Sequence, residues 1–158
     1  MSATRVLAAL SLTSLIFSGC QTAEMKATAD TRAAMSASIA AEPPGDYYIG
    51  RRYFKQDYKF WGWVRSPGQP WSTAKLIMMN EQKTFAPDRA QNKLGSDNNY
   101  EYKLFGTFTG QTVYEPASNG FYPEFSLNRY ELLSLTPPNI YRTPGATDPV
   151  RRIIVQPQ

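Results

Sequence analysis

The fold turns on the stretch Tyr100-Glu101-Tyr102-Lys103-Leu104-Phe105-Gly106-Thr107-Phe108-Thr109. Tyr102, Leu104, Gly106 and Phe108 alternate with Glu101, Lys103, Phe105 and Thr107. A period of two over this length predicts a strand with one buried face. On the downstream side, Thr109-Gly110 predicts a turn into a short strand, Gln111 to Glu115. Pro116 to Pro123 contains Asn119-Gly120, a strong turn dipeptide, and Glu124 to Leu135 predicts the closing strand. On the upstream side, Gly95 to Asn99 is a turn cluster, and Pro87-Asp88 starts one helical turn reaching toward Leu94. Thr73 to Asn80 is a nearly continuous apolar strand. Asp57 to Arg65 alternates again, placing Tyr58, Phe60, Gly62 and Val64 on the core face and Lys59, Trp61, Trp63 and Arg65 on the other. Tyr47 to Phe54 adds a leading strand.

Aromatic residues bound this module. Twenty of the 21 lie between Gly45 and Arg142, more than a solvated linker would hold. Five principal strands with little helix predict an all-β domain over residues 45–142. Gly62 and Gly106 fall on the core face, where glycine permits the sharp bend of a small barrel. The runs Phe60 to Val64, Leu104 to Phe108 and Phe125 to Leu133 resemble the strand grammar of OB-folds over about 75 residues, which implies a five- or six-stranded OB-like barrel. An SH3-like barrel or a lipocalin fragment carries similar alternation. The tail, residues 143–158, returns to Pro, Gly and Thr, with Ile153-Ile154-Val155 as a further short edge strand.

The N-terminal segment has a different character. Arg5 precedes an apolar run from Val6 to Phe17. Twelve residues of helix span about 18 Å, short of a bilayer core of about 30 Å, so an export signal fits better than a membrane span. Ile16-Phe17-Ser18-Gly19-Cys20 resembles the lipobox of bacterial lipoproteins, with Phe17 where leucine is usual. The resemblance implies a signal peptide over residues 1–19 and a diacylated, palmitate-bearing Cys20 that holds the mature chain to membrane lipid. Gln21, where aspartate would retain the protein in the inner membrane, implies the outer membrane facing the periplasm or the exterior. An ordinary secretory signal with a free thiol is the alternative. Multiple acyl chains exceed the two-signal requirement for stable anchoring. Residues 20–44 hold no aromatic residue and are rich in Ala, Ser and Thr. They read as a tether, disordered or transiently helical, with a helix docked on the domain as the competing reading.

Composition narrows the chemistry. The chain of 158 residues has no His and one Cys, which excludes histidine-based triads, His-ligated metals and an internal disulfide framework. Asp57, Asp88, Asp97, Glu101, Glu115, Glu124 and Glu131 are the candidate acids and bases. Nothing in the pattern pairs any two across a cleft as a glycosidase requires. Asp97-Asn98-Asn99-Tyr100-Glu101 has oxygen ligands at alternate positions, yet Phe108 stands where an EF-hand needs its acid. No catalytic residue, cofactor or metal is expected. The expected ligand or partner surface is Trp61 and Trp63 framed by Lys59 and Arg65. Two uses are open: docking a protein partner in an envelope assembly, or stacking glycan, including peptidoglycan. The module carries 12 Lys and Arg against 9 Asp and Glu, and the envelope address argues against nucleic acid. Arg51-Arg52 and Arg151-Arg152 read as solvated pairs or pairs near lipid headgroups.

Overall fold

The structure, a computed structural model, describes residues 15–158, with side chains from residue 24 onward. The expected signal segment up to residue 14 and the side chain of Cys20 lie outside the described residues.

Helix α1 spans Leu15–Ala40, so residues 20–40 of the expected tether are helical. Alanine loses no side-chain entropy on entering a helix. Thr28 and Thr31 turn their hydroxyls back onto the carbonyls of Glu24 and Ala27, each at 2.9 Å. Its described side chains are exposed except for Met35, half-buried, and Ile39, buried. No helix among the described residues is long and apolar enough to cross a membrane.

The unit from Ile39 to Gln158 holds five strands: β1 Tyr48–Arg52, β2 Gly62–Arg65, β3 Lys75–Asn80, β4 Glu101–Glu115 and β5 Gly120–Ser134. They close in the order β1-β2-β3-β5-β4. The contacts are antiparallel except β3 with β5, which run parallel through Met78↔Glu124 and Asn80↔Ser126. This is a small all-β OB-like barrel. Helix α2, Pro87–Ala90, is the expected single turn, with proline at its start.

Three local readings need correction. Thr109-Gly110 is no turn, because β4 runs through to Glu115; Gly110, at φ +81°, sits in a register shift between Phe108 and Thr112. Between these pairs β4 advances four residues and β5 two, an irregularity that bends the ribbon while pairing resumes at Thr112↔Pro123. Ile153 to Val155 lie in no strand. Strand β2 is shorter than expected, and residues 57–61 approach it as a loop that breaks the assumed alternation.

The barrel interior gathers Trp61, Val64, Ile77, Tyr102, Leu104, Phe125 and Leu127, closed at one end by Ala86. Tyr48 and Phe108 pack edge-on against Phe125 at 5.3 Å each. Gly62 and Gly106 occupy the close approaches expected of them. A Cβ on Gly62 would stand 2.8 Å from the backbone nitrogen of Tyr53 and closer still to the carbonyl of Arg51.

The outer face of β1 and β2 is buried as well. Arg51, Trp63 and Arg65 lie there, covered by the turn Trp71–Thr73 and the segment Ile140–Gln158. That segment is fastened by side chains. Lys55 Nζ donates to the carbonyls of Ala146 and Asp148 at 2.6 and 2.7 Å, Tyr53 OH to that of Ile153, and Asn98 Nδ2 to that of Thr147.

Candidate functional site

Of the four residues expected on a binding surface, only Lys59 is exposed. Trp61, Trp63 and Arg65 are 3%, 4% and 3% exposed, which corrects the reading of a projecting aromatic pair. Trp61 enters the barrel interior because the chain reaches β2 through an irregular loop. Trp63 and Arg65 do lie on the outer face, but that face is covered. Arg65 forms a two-pronged pair with Glu42, Nη1–Oε2 2.7 Å and Nη2–Oε1 2.6 Å, and its guanidinium carbon lies 4.6 Å from the centre of the Trp71 ring. Arginine suits such a position, since its planar group can stack and pair at once.

Arg51 and Arg52, expected in solvent, are both buried, another correction. Arg51 reaches Glu101 at 2.5 Å and the carbonyl of Pro138 at 3.0 Å, and lies over Trp71. Burial pushes its pKa down, against the pull of Glu101. Arg52 bridges Asp88 at 2.8 Å and Asp97 at 3.3 Å, and donates to the carbonyls of Phe60 and Trp61. Tyr102 OH donates to Asp97 at 3.1 Å, and Gly95 N–H to Asp88 at 2.8 Å. Burial raises the Asp97 pKa, with Arg52 opposing and Asp88 adding to the rise. This cluster ties β1 to the β3–β4 connection. Asp97 is thereby committed to Arg52 and Tyr102, and among the described residues no group of three acidic, His or Cys side chains could hold a metal ion.

The other candidate acids are also engaged. Glu124 accepts from Asn80 at 3.0 Å, Glu131 pairs with Arg129, and Asp57 pairs with Arg152 at 2.6 Å. Glu115 fixes the tip of the β4–β5 hairpin by accepting from the N–H groups of Ala117 and Ser118 at 3.3 and 2.7 Å. Burial pushes its pKa up, but hydrogen bonds from Ser118, Ala117 and the Lys59 backbone outweigh that and hold it below the usual carboxylate range.

The feature that sequence reading missed is a cleft of about 450 Å³ at one end of the barrel, between the β1–β2 loop and α2. Such a volume falls within the usual range for ligand sites. Phe54, Tyr58, Phe60, Met79 and Leu94 supply its apolar lining, with Trp61 and the Arg52–Asp88 pair also bordering it. Gln56, Asp57, Lys59, Glu81 and Arg89 supply the polar lining. The three lining carboxylates are each matched to an arginine: Asp57 to Arg152, Asp88 to Arg52, and Glu81 to Arg89 at 3.0 Å. Lys59 has no carboxylate partner among the described residues. The aromatic run through residues 58–61 was a visible signal, but its inward direction depends on the loop.

Fold and site together define a small OB-like barrel with an aromatic-lined cleft at one end. Comparison with protein-family models, curated proteins and solved structures finds no match.

Proposed function

We propose that the protein is a bacterial lipoprotein, anchored through an acylated Cys20 in the outer membrane, whose barrel binds a protein partner and performs no chemistry of its own. The anchor rests on the Ile16-to-Cys20 junction. The observation that carries the binding reading is the cleft, whose three carboxylates each pair with an arginine and whose lining includes Phe54, Tyr58, Phe60 and Trp61. A general acid or base needs a proton-exchanging group free to meet substrate, and a carboxylate clamped by a guanidinium is poorly placed for that. A concave site that sets aromatic side chains beside fixed polar groups suits recognition. Glycan stacking on Trp61 and Trp63 loses support because both indoles are enclosed.

Two measurements test the two halves. Mass analysis of protein from native membranes should find the mature chain beginning at an acylated Cys20; a free thiol there, or another first residue, overturns the anchor. Crosslinking in intact cells, from a photoreactive residue in place of Tyr58, should yield a discrete protein adduct. The same probe at exposed Thr109 should yield none. Equal labelling from both positions overturns the cleft as the docking site.

A further inference from the structure

The barrel closes along only part of strand β5. Glu124, Phe125 and Ser126 pair with β3, and Thr84 Oγ1 donates to the carbonyl of Asn128 at 2.7 Å. From Arg129 to Leu132 the strand pairs with β4 on one side. Among the described residues, no backbone hydrogen bond covers its other edge. Asn128, Arg129, Glu131, Leu132 and Leu133 are all exposed. An open edge presents unpaired N–H and C=O groups to any strand that can lie along it. Neither proline nor glycine interrupts this stretch, whereas the outer half of β4 is broken at Gly110 by the irregularity between Phe108 and Thr112.

We propose that this edge pairs with the same edge of a second copy of the chain, antiparallel about a two-fold axis at Tyr130. The charges select the register. In a two-fold antiparallel pair one residue sits on the axis, and its neighbours on either side face each other across it. With Tyr130 there, Arg129 faces Glu131 of the second copy and Glu131 faces its Arg129. That makes two opposite-charge pairs on one face of the sheet, a stabilising arrangement. With Arg129 on the axis, guanidinium opposes guanidinium; with Glu131 there, carboxylate opposes carboxylate. Registers centred further along must cross Leu133, the extra residue of β5 between the partners of Tyr102 and Glu101. Arg129 and Glu131 are accessible, with side chains 58% and 49% exposed, and they already lie against each other within the chain. The Arg129 guanidinium rests 3.6 Å from the centre of the Phe105 ring, which holds it on the face where the second copy's Glu131 arrives. Pairing also covers Leu132, exposed in the single chain, beside Asn128 of the second copy. The contact is short, as suits a weak association. It uses no residue that lines the cleft and does not depend on the anchor.

The test follows the full chain by sedimentation equilibrium in a density-matched detergent, which adds nothing to the measured mass. The wild type should show a reversible monomer–dimer equilibrium that weakens as salt is raised. Arg129→Glu and Glu131→Arg each set like charges across the axis and should each weaken dimerisation by about tenfold or more. An equimolar mixture of the two variants should dimerise again, because each then faces its opposite. Both substitutions in one chain should return the dimer to within about threefold of the wild type. An ion pair acting only within its own chain gives no recovery on mixing. Both positions are exposed, so the urea midpoints of the single variants should match the wild type, which places the loss in association and not in folding. A wild type that stays monomeric up to about 1 mM, a dimer indifferent to either reversal, or reversals without recovery on mixing each overturns the proposal.

Discussion

The two faces of the β1–β2 ribbon are buried by different chemistry. Inward, Val64, Ile77, Leu104, Phe125 and Leu127 form an apolar core closed by the barrel itself. Outward, Arg51 and Arg65 both lie over Trp71, each with its own glutamate, and Tyr53, Tyr141 and Trp63 complete the layer. The inner face is dry because opposite strands supply its cover. The outer face is covered only by a 3₁₀ turn and an irregular segment, whose backbone groups need partners. Arginine, lysine and tyrosine provide these while still burying apolar surface. Thus a layer rich in cations is interior structure, and burial of a charge is no sign by itself of a ligand site. At the cleft, by contrast, Lys59 is exposed and has no carboxylate partner among the described residues.

The largest expected effect strikes the seam between the faces. Gly62→Val drives a side chain into the β1 backbone and should prevent folding, read as loss of the cooperative urea transition; a folded variant would refute the close approach. Leu104→Ala, in the inner core, should lower stability by about 3 kcal/mol, measured from the urea midpoint. On the outer face, Glu42→Gln leaves the Arg65 guanidinium without its carboxylate and should cost about 1–2 kcal/mol. The double variant Glu42→Leu with Arg65→Met should recover to within about 1 kcal/mol of the wild type, because a partly buried ion pair offsets its own desolvation. If the double variant is as unstable as the sum of the singles, the pair contributes more than this account allows.

The smallest effect is one of pH. Burial raises the Asp97 pKa in the folded state, whereas the unfolded side chain titrates near 3.9. The folded chain therefore holds the proton more tightly. The resulting stabilisation is fully present below about pH 4 and is lost as pH rises through the folded value. Asp97→Asn should remove that slope, so the wild type should gain on the variant as pH is lowered from 7 toward 4. Parallel profiles would exclude Asp97 as the source.

Much of the barrel was legible along the chain because a strand writes its buried face at every second residue. Tyr102, Leu104 and Phe108 read correctly on that rule, and so did Gly62 and Gly106. The rule failed at Trp61, where the chain enters β2 through a loop and the alternation carries no phase. It failed differently at Trp63 and Arg65: their face was right, but the period says nothing about what covers it. The cleft was illegible for a related reason, since Phe54, Tyr58, Met79 and Leu94 come from segments far apart in sequence.

By itself, then, the sequence determined an all-β domain of about five strands behind an alanine-rich segment, through periodicity, turn dipeptides and aromatic density, all of which act locally. The tertiary structure alone decided which charges went inside, which indoles were enclosed and where a cavity remained. Those outcomes depend on the order in which β3, β5 and β4 close and on where the C-terminal segment comes to lie, and both are set by contacts between residues distant along the chain.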